Sequence, residues 1–491
     1  MPQRMPRIAL VVILGVAAAA RFWFLNAGVP HAAGPGEPEV IGRVIRILHT
    51  GDWNPHFFDY PSLAVYLHAG VAIARFLWGA LQGEWSSLDA FTIEAIYGAG
   101  RLAAALIGVT TVYLTYRLAR ELVARPVALL AAAQLAVLPL HVRESHFILP
   151  DVPMTALSAL AVWLALRAVR RHEVGAYAWA GAACGLAAAA QYTGAFALLA
   201  PLAAWAVQER RHPQRDMMLG ALVGAAAVAF VAGAPFTVLD MPAFLDGFAA
   251  QISRFAAPSG GGTPWPASLK YLSPGWPWLA IPLTLAGAAI LLGRRDSRRA
   301  ALPLIVFTLG YISLVFAHSH APDRSALPLL PILCVLSSTA AVRGVEYVAR
   351  LRPLHRAPRP LLAAAAVVLL LWVPVAETVG WLDQYKRLDT RGIAAAWLKG
   401  NTPKGTPVAV EHTGPTHLDA AGLRVTTTDV LLDHPLEWYR TRADYLVISA
   451  ADLSRYGEYT AAGPIVLQIG PTSQRSGPSI LIVRLSVVSR Q

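Results

Sequence analysis

Charged residues are scarce in this 491-residue chain: Asp, Glu, Lys and Arg make up 14% of it, against 56% hydrophobic residues. A soluble domain of this length cannot hide that much apolar surface, so the solvent for most of the chain is lipid. Cysteine is nearly absent. The two present, Cys184 and Cys334, each lie inside an apolar stretch, which excludes a disulfide framework and a thiolate metal site and leaves packing as their role. Also missing are a phosphate-binding Gly-x-x-x-x-Gly-Lys loop, a dinucleotide fingerprint, a His-Glu-x-x-His zinc motif and an Asp-x-Asp pair of the kind that holds a metal-bound nucleotide sugar. These absences argue against soluble activated donors, and no metal or cofactor is expected.

What is present is a series of apolar runs near the roughly 20 residues that cross a hydrocarbon core. They fall near 8–26, 101–118, 127–141, 152–169, 176–190, 193–208, 218–236, 274–293, 301–317, 326–342 and 360–380. The first lacks a small-residue cleavage site and reads as a retained anchor. The net charge of +12 does not point to nucleic acid, because the basic residues cluster between spans: Arg170-Arg171, Arg210-Arg211, Arg294-Arg295 with Arg298-Arg299, and Arg343 to Arg359. Placing those clusters in the cytoplasm puts the N-terminus inside and the C-terminus outside, as expected for a cytoplasmic (inner) membrane protein of bacterial type. Outer segments are then 27–100, 142–151, a turn at 191–192, 237–273, 318–325 and everything after about residue 381.

Residues 63–82 are apolar enough for a twelfth span, but one extra crossing would turn every later arginine cluster outward. With His68 and Arg75 in its middle, this segment reads as an interfacial helix, and a thirteen-span version with a partner near 88–100 stays open. After residue 381 a helix-like stretch, Asp389 to Lys399, precedes the β-rich runs Pro407 to Glu411, Tyr445 to Ser449, Ile465 to Ile469 and Ile480 to Leu485. The fold class is therefore an all-α polytopic bundle of about 11–13 transmembrane helices (residues 1–380, with 27–100 a large outer loop) followed by a small α/β extracytoplasmic domain (381–491). Ala-rich tracts such as Ala187 to Ala190 read as close-packing helix surfaces.

Candidate chemistry sits in the outer loops. Glu37 and Glu39 stand just past the first span in Pro/Gly-punctuated chain; a partly desolvated carboxylate there can take a proton from an attacking hydroxyl, and an acidic helix start explains the same residues. "HVRESHFILPD", His141 to Asp151, crowds polar groups into one short loop. Arg143 and His146 suit a phosphate, and Asp151 suits a hydroxyl or a helix N-cap. Gln191-Tyr192-Thr193-Gly194 and His318 to Arg324 converge on the same face, where Arg324 serves as a phosphate clamp or snorkels to the interface. The long loop with Pro258 to Pro264 reads as a gate for an outer cavity or a plain linker.

The order of span, acidic loop, "GDWNPHFFDYPSL" (Gly51 to Leu63), "HVRESHFILPD" and "QYTG" resembles the lipid-carrier-dependent glycosyltransferases related to protein O-mannosyltransferases and aminoarabinose transferases. The resemblance runs from the first span to beyond residue 400. It implies a GT-C-like fold, an outer cavity roofed by the first loop and the C-terminal domain, and metal-independent transfer from a polyprenyl-phosphate sugar to an acceptor hydroxyl. The acceptor, whether protein, lipid or glycan, is not specified. Glu37 would be the base of an inverting displacement, Asp151 would position base or acceptor, and Arg143, His146 and Arg324 would hold the leaving phosphate. Glu39, Tyr60, Gln191 and Tyr192 would line the substrate, with Tyr60 and Phe57-Phe58 beside the prenyl chain. Three positions depart from the family pattern: Gly36 where an Asp is usual, Gln191 where a Lys is common, and Ser325 where an aromatic often follows the Arg. A non-catalytic assembly subunit and a sugar-lipid transporter are the rival readings.

Overall fold

The structure, a computed structural model, describes residues 5–209, 212–256, 277–315, 323–350, 359–450 and 452–485. The Pro258 to Pro264 stretch, most of His318 to Arg324, Arg210-Arg211 and much of the basic run after Arg350 lie outside the described residues. The chain divides into two compact units. One comprises Met1–Trp23, Arg43–Leu77 and Gly100–Val379, the other Phe24–Gly42, Trp78–Ala99 and Gly380–Gln491.

The helices are α1 (Met5–Phe22), α2 (Glu37–Thr50), α3 (Leu63–Leu81), α4 (Ile93–Leu122), α5 (Arg125–Ala136), α6 (Pro139–Glu144), α7 (Asp151–Arg171), α8 (Val174–Ala190), α9 (Leu199–Ala206), α10 (Arg215–Gly233), α11 (Phe236–Leu239), α12 (Met241–Ala256), α13 (Pro277–Gly293), α14 (Arg295–Val315), α15 (Leu330–Val348) and α16 (Arg359–Gln384). Short 3-10 stretches at Tyr192–Leu198 and Asp323–Leu329 lead into α9 and α15. Among the described residues seven helices are long and apolar enough to cross a membrane, and four shorter apolar helices accompany them. The chain is a multi-span membrane protein.

Without a hydrophobic drive between helices in lipid, close packing of small residues holds such a bundle together. Helix α8 shows this at Gly181 and Gly185, one turn apart. A methyl group on either would come within 2.1 Å of a carbonyl oxygen of α10, at Leu222 and Ala226 respectively. Gly287 of α13 meets the Leu336 carbonyl of α15 the same way, at 2.0 Å. The Ala- and Gly-rich runs are thus contact surfaces between helix backbones.

Helix α3 is among the seven by length and composition. Its first turns lie against the ends of neighbouring helices in the first unit. A side chain at Gly233, the last residue of α10, would meet Leu63 at 3.5 Å, and one at Gly100, early in α4, would meet His68 at 3.4 Å and Ile148, just before α7, at 2.7 Å. The end of α10 and the starts of α4 and α7 mark the same end of the unit. Helix α7 then runs 21 residues from Asp151 to Arg170-Arg171, about 30 Å, one hydrocarbon thickness.

The second unit is built on a five-stranded sheet of β2 (Pro407–Glu411), β3 (Arg424–Thr428), β4 (Tyr445–Ala450), β5 (Ile465–Ile469) and β7 (Ser479–Arg484), in the order β3-β2-β4-β7-β5. β1 (Leu388–Asp389) and β6 (Arg475–Ser476) form a separate two-stranded pair. Strands β3, β2 and β4 are parallel, and β7 runs antiparallel to its neighbours. Both faces are covered. Ala409, Leu446, Ile448, Leu481 and Val483 join one core, and Val408, Val410, Val447, Ile480 and Ile482 join the other, which also holds Ala394 and Leu398 of α17 (Thr390–Asn401). That alternation is the period of two along each strand. Asp389 caps α17 by accepting the Arg391 N–H at 2.9 Å and pairs with the Arg391 guanidinium. The segment between α1 and α2 is bound to this domain: Thr416 N–H donates to the His31 carbonyl at 2.9 Å, Thr416 Oγ1 to the Pro30 carbonyl at 2.6 Å, and Arg391 to the Ala33 carbonyl at 3.0 Å.

The helical bundle with a C-terminal α/β domain is the expected fold class. Details differ: α5 stops at Ala136 because Pro139 restarts the chain as α6, and α4 begins eight residues earlier than the expected span.

Candidate active site

Two prolines shape the corner between α5 and α7. Pro139 opens α6, and Pro150 stands immediately before Asp151 at the head of α7, with Pro153 in its first turn. The short chain between them holds His141, Arg143, Glu144, Ser145 and His146 against the head of α7 and the start of the Asp323–Leu329 stretch.

These residues form a continuous ionic chain. Arg143 Nε donates to Glu144 Oε1 at 2.7 Å, and Arg143 Nη2 donates to Asp323 Oδ2 at 2.5 Å. The other Asp323 oxygen accepts the Arg324 backbone N–H at 2.8 Å, and Arg324 Nε stands 3.7 Å from Asp151 Oδ2. The carboxylates of Glu144 and Asp151 are buried, whereas Arg143 and Arg324 keep about a third of their side-chain surface exposed (33% and 38%). Burial pushes the Glu144 carboxyl up to about 7, against the pull of Arg143 and with a further push from Asp151 and Asp323. Part-exposed guanidinium groups fixed at one edge by acidic partners are suited to receive a phosphate on the other.

Several acceptors here have no donor among the described residues: Asp151 Oδ1, Gln191 Oε1 and Thr155 Oγ1. The Gln191 side chain approaches Asp151. Buried acceptors without a protein donor are completed by ligand or water, and three lie together at the head of α7 and the end of α8. Among the described residues no group of three or more His, Cys, Asp or Glu side chains is placed to hold a metal.

The two histidines of the corner are engaged structurally. Arg21, fully buried at the end of α1, donates to the carbonyls of Ala17, Leu135 and Ala136 and to His141 Nδ1 at 2.8 Å, tying α1 to the α5–α6 corner. His146 faces the Val142 carbonyl with Nδ1 at 2.9 Å and the Trp23 carbonyl with Nε2 at 3.2 Å. Burial drops its pKa to about 4, so at neutral pH it is uncharged. An uncharged imidazole has a single ring N–H and so donates to one of these two carbonyls, which fixes the buried ring within the loop.

Tyr192 links the turn after α8 to the Gly51 to Leu63 segment by donating its hydroxyl to the Phe58 carbonyl at 2.8 Å. Gly194 lets this turn close, because a methyl group there would come within 2.1 Å of the Ala187 carbonyl. The Tyr192 ring meets Phe248 of α12 edge-on at 5.0 Å, and Phe244 stacks on Phe248 at 5.6 Å. With Cys184, Ala188 and Phe230 these rings line an apolar groove of about 450 Å³. Tyr60 lies off this groove: it meets Phe57 edge-on at 4.7 Å, and Phe57 in turn lies under the Arg43 guanidinium at 3.7 Å.

Glu37 and Glu39 belong to the second unit. Glu37, the first residue of α2, is fully buried and accepts the Gly34 N–H at 2.7 Å, while Glu39 is exposed. Gly36 has φ +87°, a conformation L-residues resist. His417, with a positive φ of its own, meets the buried Tyr97 hydroxyl at 2.8 Å, and His31, Glu37 and Glu94 also act on it electrostatically. Burial lowers the His417 pKa.

Sequence reasoning did not single out Glu144, Asp323, Tyr97, His417 or the α12 aromatics. Phe244 and Phe248 were open to reading by their spacing of four, and Glu144 by its place in the polar loop. The Arg143–Asp323 pair spans 180 positions and has no local signal.

Residues 96–237, which contain Arg143, His146, Asp151, Gln191 and Tyr192, match the family model of dolichyl-phosphate-mannose-protein mannosyltransferases. No curated protein sequence matches. Among solved structures, ArnT from Cupriavidus metallidurans bound to undecaprenyl phosphate is similar at 15% identity and a TM-score of 0.62, covering 98% of this chain and 99% of that one. The archaeal oligosaccharyltransferase AglB from Archaeoglobus fulgidus, in complex with an inhibitory peptide and a dolichol-phosphate, is similar at 14% identity and a TM-score of 0.59, covering 91% of this chain and 70% of that one. Residues 96–237 are thus similar to the dolichyl-phosphate-mannose-protein mannosyltransferase model, and the fold is similar to that of ArnT and AglB.

Proposed function

We propose that this protein transfers a sugar from a polyprenyl-phosphate donor to an acceptor hydroxyl on the outer face of a cytoplasmic membrane, with inversion and without a metal. The observation that carries the reading is the ionic chain Glu144–Arg143–Asp323 with Arg324–Asp151, at the end of α7 opposite its arginines. A lipid-linked donor presents an anionic phosphate at the edge of the hydrocarbon, the depth at which the head of a spanning helix lies. The apolar groove bounded by Tyr192, Phe244 and Phe248 suits a prenyl chain. The similar ArnT and AglB structures hold undecaprenyl phosphate and a dolichol-phosphate.

In the reaction the acceptor oxygen attacks the anomeric carbon as the bond from that carbon to the phosphate oxygen breaks, and the electron pair leaves on the lipid phosphate. Arg143 and Arg324 neutralise the charge that grows there, held in place by Asp323 and Asp151. Asp151 Oδ1, which has no donor among the described residues, accepts from the acceptor hydroxyl and orients it. The proton passes to a carboxylate, and Glu37 is the one its place in the sequence order nominates. Replacing Glu37 by Gln keeps the side-chain shape and removes the base. Loss of transfer with normal thermal stability supports the assignment, and normal turnover removes it.

The arrangement favours surface chemistry over transport. A transporter places ionisable groups near the middle of the bilayer on interrupted helices, whereas here Glu144, Arg143, Asp323, Arg324 and Asp151 gather at the head of α7. The arginines at the other end, Arg170-Arg171, Arg294 and Arg343, then face the cytoplasm.

A further inference from the structure

The first unit has a polar cavity at the far end of α7. It encloses about 390 Å³ among the ends of α4, α7, α13 and α15 and the start of α5. Four guanidinium groups line it, Arg120, Arg170, Arg294 and Arg343, against two lining carboxylates, Glu121 and Glu346, and Asp296 pairs with Arg294 at 2.8 Å, leaving one net positive charge, that of Arg120. Both carboxylates are already engaged. Glu121 Oε2 is 3.2 Å from Arg170 Nη1 and its other oxygen accepts the Trp163 indole N–H at 3.2 Å, while Glu346 pairs with Arg343 at 2.6 Å. Arg120 gives one N–H to the Val123 carbonyl at 2.8 Å and has no carboxylate partner among the described residues. Helix α5 begins at this cavity, at Arg125 and Pro126, with no side chain capping it, so its dipole adds to the positive field.

We propose that this cavity binds the phosphate headgroup of an anionic phospholipid. Excess cationic charge and an uncapped helix start select an anion. Apolar side chains such as Ile290, Leu291 and Val342 complete the lining, which suits a phosphate that continues into glycerol and acyl chains. The site lies about one hydrocarbon thickness from Asp151 along α7, the level of the opposite headgroup layer. Bound there, the lipid bridges α4, α5 and α7 to α13 and α15. It is a separate site from the donor phosphate at Arg143 and Arg324, and it stands whether or not the transferase reading does.

The test is native mass spectrometry on the full chain, titrated with cardiolipin, phosphatidylglycerol or phosphatidylcholine, beside thermal unfolding with and without millimolar inorganic phosphate. The anionic lipids are expected to be retained at least about tenfold more tightly than phosphatidylcholine, with Arg120→Gln and Arg343→Gln each losing about tenfold and Arg343→Lys recovering part of it. Competition between inorganic phosphate and the anionic lipid supports the phosphate chemistry. Phosphate binding that leaves lipid retention untouched overturns the lipid assignment. Equal retention of all three lipids, or retention unchanged in both Gln variants, overturns the site. Arg343 is half-exposed, so its variants report on binding even where Arg120→Gln fails to fold.

Discussion

Replacing Arg143 by Gln removes the cation that faces Glu144 at 2.7 Å, and the consequence depends on pH. In the wild type, burial lifts the Glu144 carboxyl from 4.5 to about 7 even with that cation present. The folded protein therefore keeps a proton that the unfolded chain has released across that window. Stability falls as pH rises through it, by about 3 kcal/mol in all, and is level above about pH 7. Without the guanidinium the ionised form loses its partner while Asp151 and Asp323 still oppose it, so the carboxyl holds its proton to higher pH. The fall then continues past pH 7 at up to about 1.4 kcal/mol per pH unit. Loss of the Asp323 pair adds an offset at every pH. Thermal unfolding of both proteins in nanodiscs at about pH 6 and about pH 8 reads the difference. The gap between wild type and Arg143→Gln should widen at the higher pH by about 1 kcal/mol, on the order of 1–2 °C for a chain of this length. A gap that stays constant with pH would refute the burial argument for Glu144.

Two further substitutions probe packing and backbone. Gly185→Ala puts a methyl group 2.1 Å from the Ala226 carbonyl and should cost about 1–3 kcal/mol by thermal unfolding, whereas Gly220→Ala on α10, with nothing within 4 Å, should change stability by less than about 0.5 kcal/mol or raise it. Equal effects at the two glycines would contradict the close approach of α8 to α10. Gly36→Asp restores the residue type common in relatives, but φ is +87° there, so it should lower stability by about 1 kcal/mol and bring no gain in sugar transfer. Higher transfer in Gly36→Asp would show that the chain has lost its base.

How far the sequence carried the fold can be seen element by element. Composition and charge clustering identified the membrane class, because lipid and water select opposite side chains and no local detail is needed. The runs Pro407 to Glu411, Tyr445 to Ser449 and Ile480 to Leu485 were readable as strands because both sheet faces are covered and each run is continuously apolar. β3, Arg-Val-Thr-Thr-Thr, was not read: it is an edge strand, half exposed, and has no apolar run to announce it. Helix α12 was hidden inside an expected outer loop because it is amphipathic and shorter than a span.

The site was readable only in part. The polar crowding of His141 to Asp151 marked the loop before α7, Pro139 lay unread inside an expected span, and Asp151 and Arg324 were nominated separately. Their 3.7 Å approach depends on packing of segments 173 residues apart. Arg143 was nominated for phosphate and His146 beside it. Their environments separate them, since Arg143 stays part-exposed between two carboxylates and His146 is buried between two carbonyls. A string of residue types does not encode which of two neighbours turns inward.

The most direct test of the transferase reading is release or transfer of sugar from radiolabelled polyprenyl-phosphate sugars by the purified protein in lipid nanodiscs, with Arg324→Gln beside wild type. The account predicts sugar release by wild type and a loss of about 100-fold or more in the variant, because one of the two cations that stabilise the departing phosphate is gone. Equal release by the two proteins, or no cleavage of any such donor by a wild type that binds it, would contradict it.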